Sequence, residues 1–232
     1  GDEAGTAITT GDTNVAIGKD ALKLEDTGSS NVAVGYATLA ALNHDGSGYN
    51  VAVGHAAGND ITTGIQNTLI GGLAGDALED ADFNVALGMF ALSADTLGSR
   101  STALGYSALE SQNFTSATDT YNTAIGFSAG AAVSTGIHNT ALGYFSLGGS
   151  SLASANTAVG SGALAVHNVD SLAQTFNVAV GYDSCNNLTT GIKNTVIGSL
   201  AGDAITTGAN NVVLGFEALS ANTAANGNVA IG

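Results

Sequence analysis

The chain contains no proline and no tryptophan, one cysteine, one methionine and only four basic residues. Each scarcity excludes something. A lone Cys185 rules out an internal disulfide framework and supports no metal cluster. Four Lys and Arg against 19 Asp and Glu leave a formal net charge of −15. Such a surface repels phosphate backbones and anionic headgroups, so nucleic acid and acidic membranes are disfavoured as partners. No apolar run approaches the roughly 18 residues of a membrane span, and no charged-then-apolar leader opens the chain, so membrane insertion is not expected. Charged residues make up only 10% and apolar ones 44%, the reverse of a disordered composition.

What is present is a repeat. "NTAIGFSAGAAVSTGIHNTALG", residues 122–143, carries nearly the same phrase twice, first from Asn122 and again from Asn139. With its Asn as position zero, the phrase recurs at Asn14, Asn31, Asn50, Asn67, Asn84, Ser101, Asn122, Asn139, Asn156, Asn177, Asn194, Asn211 and Asn228. Nine of the twelve spacings equal 17 and the others are 19, 21 and 21. Position one is Val or Thr, position two Ala with Leu69, Val196 and Val213 as exceptions, and position three Ile, Val or Leu. Position four is always Gly, position seven Ala or Ser apart from Thr38, and position eight mostly Leu or Gly. The remainder is rich in Thr, Ser, Asp, Asn and Gly, often as "TTG".

A short β-branched run closed by Gly predicts a strand followed by a bend. A period this short leaves no room for a helix pair and suits one coil of a parallel β-solenoid. The expected fold is therefore all-β: a parallel β-solenoid, or β-roll, of about thirteen 17-residue coils, forming one repeat domain over residues 1–232. Stacked at about 4.8 Å, the column Asn14, Asn31, Asn50, Asn67, Asn84, Asn122, Asn139, Asn156, Asn177, Asn194, Asn211 and Asn228 is expected to form an amide ladder. Proline is excluded because nearly every backbone N–H serves a ladder. The extra residues of the longer coils lie late in the repeat, in "LNHDGSGY", "SQNFTSATDTY" and "VHNVDSLAQTF". Each ends in a ring before the next Asn (Tyr49, Tyr121, Phe176), a column shared by Phe83 and expected to cover an apolar edge.

Strand side chains alternate between faces, and here both faces are apolar. Such a strand is usually covered on both sides. Small alanines at position two suit the close approach of another sheet. Ala16, Ala33, Ala52, Ala86, Ala103, Ala124, Ala141, Ala158 and Ala179 are accordingly expected to form the seam of an oligomer.

The columns "N-[TV]-A-[IVL]-G-x-x-A-L … T-T-G-x-x-N", as in Asn177 to Gly198, resemble two sets of fibre sequences. One is the head repeat of YadA-type trimeric autotransporter adhesins, and the other the shaft of bacteriophage-type tail fibres. The resemblance covers about residues 8 to 232, although the adhesin coils are shorter than the period of this chain. It implies a left-handed β-roll assembled as a homotrimer, located extracellularly on the bacterial surface or the virion, that attaches to a host-surface glycan or protein. The chain opens inside a repeat and stops at Gly232, which reads as a segment of a longer fibrous protein.

Chemistry of other kinds is sparse. His44, His55, His138 and His167 fall in different columns without metal-ligand spacing and read as solvated loop residues. Cys185 stands in the Leu/Gly column and is expected to pack as a small apolar residue. Asp60, Asp76 and Asp203 raise the question of calcium, but the calcium β-roll phrase is missing, and no metal or cofactor is expected. Carboxylates are scattered rather than clustered as a polysaccharide-cleaving solenoid would require, so no enzymatic activity is expected. Position five collects Tyr36, Tyr106, Phe127, Tyr144, Tyr182 and Phe216, a row of rings that either stack on sugar faces or pack on one another. The leading expectation is a structural and adhesive fibre segment; the alternative is a single-chain ice- or glycan-binding solenoid.

Overall fold

Three β-branched or small apolar residues followed by an obligatory glycine make a strand too short to stand alone, so each strand depends on the coils stacked on it. The structure, a computed structural model, describes all residues except 170, 172 and 225. Two of those lie in the last of the three inserts. No helix occurs among the described residues, and every strand pairing is parallel. The chain is a parallel β-solenoid of thirteen coils, divided into two compact units, Gly1–Thr120 and Tyr121–Gly232.

In the first unit the phrase strands are Val15–Ile17, Val32–Val34, Val51–Val53, Thr68–Ile70, Val85–Leu87 and Thr102–Leu104. They pair like position to like position, Ala16 against Ala33 and Ala52 against Leu69. The second unit repeats this with Thr123–Ile125, Thr140–Leu142, Thr157–Val159, Val178–Val180, Thr195–Ile197, Val212–Leu214 and Val229–Ile231. The two longest coils add a further short strand before the Asn, Thr118–Asp119 paired with Gly98–Ser99 and Ala173–Gln174 paired with Ala153–Ser154.

The asparagines sit inside the corner and are buried from Asn31 to Asn211. Their bonding is more directional than a plain amide ladder. Asn50 Oδ1 accepts the Asn67 backbone N–H at 3.0 Å, while Asn67 Nδ2 donates to the Ala81 carbonyl at 2.7 Å. Amide-to-amide contacts such as Asn67 Nδ2 to Asn50 Oδ1, 3.2 Å, supplement these. Such a side chain ties its own coil to the next at two points, which locks the stacking register. Ahead of two of the longer coils, Asn31 and Asn156 keep the Oδ1 tie while Nδ2 turns back to the Ser29 and Ser154 carbonyls.

Turning a chain through a full circuit in so short a repeat requires left-handed backbone at fixed places. The residue before the Asn and those at positions six and eight have positive φ in coil after coil, for instance Gln66, Leu73 and Gly75 at 58°, 56° and 56°. Most are not glycine, and each such residue costs roughly 1–2 kcal/mol. The coil-to-coil ladder offsets that strain. Proline, held near −65°, fits none of these places, a second reason for its absence. At position four only glycine serves: φ is 141° at Gly71, and a Cβ there would fall on the Gly88 carbonyl in the next coil.

The interior is narrow, and its columns compensate one another. Positions two and seven point inward with mostly small side chains, and one or two large aliphatics per coil fill the remainder. Where position eight is Leu, as in Leu39, Leu92 and Leu164, that side chain is fully buried. Where it is Gly, position eleven supplies the bulk through Ile61, Leu78, Val133 or Ile205. A Cβ on Gly75 would meet Leu78 Cδ1 at 2.8 Å and Leu69 Cδ2 at 2.9 Å. The larger Leu69 at position two is thus accommodated by glycine at position eight.

Replacing Asn67 by Ala leaves the Asn84 N–H and the Ala81 carbonyl without partners. The unfolding free energy should fall by about 2–4 kcal/mol, read from urea or thermal transitions by circular dichroism. Gln66→Gly, one residue away at an exposed left-handed position, should instead raise stability by roughly 0.5–1 kcal/mol.

Candidate functional site

The strand presents positions one and three to the outside and position two to the inside. Ala33, Ala52, Ala86, Ala103, Ala124, Ala158 and Ala179 are completely buried within the chain, Ala141 is nearly so and Ala16 is half-buried. The expected alanine seam is therefore corrected: those methyl groups line the coil interior and cannot meet a second chain. The reason is volume, because the inside of a coil this tight accepts only small groups opposite the position-eight leucine.

The apolar face left uncovered is the other one. Position three contributes Ile70, Leu87, Ile125, Leu142, Ile197 and Leu214, which are 36–46% exposed, and position one adds the Val and Thr column. In-register pairing turns these into two parallel rows running through each unit. An apolar parallel-sheet face open to solvent is uncommon, since such faces are normally packed.

Aromatic side chains flank this face on both margins. At position five Tyr36, Tyr106, Phe127, Tyr144, Tyr182 and Phe216 are all exposed. Within that column Tyr36 stacks on His55 with centroids 5.1 Å apart, and Phe127 on Tyr144 at 5.8 Å. Tyr106 takes Phe90 edge-on at 5.8 Å. On the opposite margin, before the Asn, Tyr121 stacks on His138 at 5.3 Å and Arg100 lies over Phe83 at 4.6 Å. Tyr49, Tyr121, Phe176 and Phe83 remain exposed, so they form a rim rather than a lid.

Position eleven holds a set of buried polar groups that periodicity does not reveal. Glu25, Asp95, Gln112, Ser150 and His167 are wholly buried. Each follows a Leu at position eight, which has already filled the core. Glu25 Oε1 accepts the Gly28 N–H at 2.7 Å. Around Ser101, the one phrase without Asn, Asp95 Oδ1 accepts the Phe114 N–H at 3.0 Å, and Gln112 Nε2 donates to Asp95 Oδ2 at 2.6 Å and to Ser101 Oγ at 2.8 Å. Ser101 and Thr120 hydroxyls meet at 2.6 Å. This network stands in for the missing amide, and burial holds the Asp95 carboxyl above its usual range.

His167 departs from its expectation as a solvated loop residue. It is fully buried, with Nε2 3.3 Å from Asn177 Nδ2, and burial pushes the imidazole down to about 4. Its neighbours at that depth are backbone and amide, so the ring stays neutral. His55 and His138 are exposed and His44 half-buried. Cys185 is buried in the Leu/Gly column, and desolvation raises its thiol to about 12, which keeps it protonated and unreactive. Among the described residues no three His, Cys, Asp or Glu come together as metal ligands. Asp76 and Asp203 each bury one carboxylate oxygen without a hydrogen-bond partner, and burial raises the Asp76 carboxyl. Compared with protein-family models, curated proteins and solved structures, the chain matches none.

His167 and Cys185 both report on the second unit. Between the ordinary imidazole value near 6.5 and the native value near 4, the unfolded chain binds the proton that the folded one refuses. Stability should therefore rise with pH across that window, by on the order of 3 kcal/mol. A His167→Leu variant should flatten the dependence in melting curves taken from pH 4 to 6.5. Maleimide labelling of Cys185 should follow unfolding and be negligible in the native protein.

Proposed function

We propose that this chain is a structural and adhesive fibre segment without enzymatic activity. Copies associate as a homotrimer of left-handed β-solenoids displayed extracellularly, on a bacterial surface or a virion. The observation that carries this reading is the uncovered face of Val, Thr, Ile and Leu at positions one and three. Packing that face against its counterpart in another copy would remove apolar surface from water at about 25 cal/mol per Å². It would also give a parallel sheet the cover that such sheets ordinarily have. Threefold assembly and handedness come from the resemblance of the "N-[TV]-A-[IVL]-G" columns to adhesin heads and tail-fibre shafts. The ladder of buried asparagines suits a shaft that resists proteolysis, and the rim aromatics suit contact with a host surface.

A single-chain ice- or glycan-binding solenoid is the second reading, favoured by the outward Thr at position one, with Thr140 exposed and Thr68, Thr102, Thr123, Thr157 and Thr195 half-buried. Solution mass separates the two. Light scattering after size exclusion should give about three times 22.6 kDa. The double change Ile125→Lys with Leu142→Lys places charge on the outward rows, and should yield a folded monomer. A wild-type monomer, or a double mutant that remains trimeric, would sink the trimer, and thermal hysteresis in the monomer would then favour the ice-binding alternative.

A further inference from the structure

The position-five column changes character in the second unit. From Tyr144 it runs Tyr144, Ser161, Tyr182, Ser199, Phe216, so that rings alternate with serines. The strands preceding these residues pair in register from Thr140–Leu142 to Val212–Leu214, so the five side chains leave the same edge of successive coils. Where rings occupy neighbouring coils they stack, as Phe127 does on Tyr144. Where a serine intervenes, the walls stand two strand spacings apart, about 9.6 Å. A flat ring inserted midway would sit about 4.8 Å from each wall, within the range of stacked contacts.

The first of these two slots also has a polar floor. Ser161 is followed by Gly162, and the carboxylate of Asp183 occupies the space where a Gly162 side chain would stand. Asp183 lies next to the Tyr182 wall and holds that phenol above its usual range. The slot thus combines two aromatic faces, a hydroxyl and a carboxylate acceptor. Tyr144, Tyr182 and Phe216 are 59%, 56% and 65% exposed, so their surfaces are open to a visitor.

We propose that Tyr144, Ser161, Tyr182, Ser199 and Phe216 form two adjacent slots that each hold one pyranose ring of a neutral glycan. A pyranose has C–H faces that lie against aromatic rings and an equatorial edge of hydroxyls. In the first slot that edge donates to Asp183 and exchanges hydrogen bonds with Ser161. The Asp183 carboxylate already accepts a hydrogen bond from the Tyr182 phenol, and its remaining lone pairs favour a ligand that brings hydroxyl donors over a planar aromatic that brings none. Sulfated or phosphorylated sugars are rejected by Asp183 and by the chain's net charge of −15. The inference rests on the adhesive part of the proposed function and names the chemical class of its target; it does not need the trimer.

The test is a titration of the full chain with neutral oligosaccharides of glucose, galactose and mannose, and with dextran sulfate as the anionic counterpart. Tyrosine fluorescence and saturation-transfer NMR provide the readouts, the former unobscured because the chain lacks tryptophan. At least one neutral probe should bind saturably. Tyr182→Ala, which removes the wall common to both slots, should weaken it by about tenfold. Filling the slots with Ser161→Tyr and Ser199→Tyr should abolish binding, and Leu24→Ala, at an exposed position of the first unit outside both aromatic margins, should leave it unchanged. These side chains point outward, and a wild-type melting transition checks that each variant is folded. Failure of every neutral probe, preference for dextran sulfate, or equal binding by wild type and the Tyr182 and slot-filled variants would each overturn the slots. A monomer that still binds the neutral probe removes the trimeric fibre and leaves the slots standing. A trimer that ignores every probe removes the slots alone.

Discussion

The bond from an asparagine side chain to the backbone of the next coil is the constraint on which the rest depends. A three-residue strand has too few hydrogen bonds to hold its register, and a slip of one residue would turn every inward methyl outward. Asn Oδ1 on the following Asn N–H, with Nδ2 in most coils on a carbonyl three residues before that Asn, closes off that slip at the same corner. Where Ser101 breaks the column, Asp95, Gln112 and Thr120 are drawn into the core to occupy the corner. The protein thus accepts a buried carboxylate rather than an unfilled rung.

Tightness follows from the same stack. Three left-handed positions per coil let so short a repeat close a circuit, and the resulting interior is so narrow that position two and position eight share one volume. Leu69 with Gly75 and Val196 with Gly202 show the exchange directly. Bulk that cannot go inward goes outward, to the Ile, Leu and Val of position three and the rings of position five. The exposed apolar face is therefore a geometric consequence of the small coil, and the proposed fibre assembly rests on it.

The aromatic margins divide by the same arithmetic. Rings on adjacent coils satisfy one another, as Tyr36 does with His55 and Phe127 with Tyr144. Rings separated by a serine have room between them. One column therefore yields a closed stack or a pair of open slots according to which residue falls on alternate coils, with no change in backbone.

The sequence by itself determined the architecture. A strict recurrence of Asn, a β-branched pair and Gly has one economical solution, the parallel stack, because only stacking places every copy of a residue in the same environment. It also determined that Cys185 packs as an apolar group and that the inserts fall late in the coil. Which strand face is inward was decided only by the tertiary structure. Alternation is symmetrical when both faces are apolar, and the inward choice of alanine depends on a coil width set by left-handed corners that no residue type announces. A signal was present in the pairing of Leu69 and Val196 at position two with glycine at position eight, but its meaning requires knowing that the two columns meet. The burial of His167 and Asp95 likewise arises because a leucine three residues earlier has already filled the core, and that packing exists only once the coil has closed.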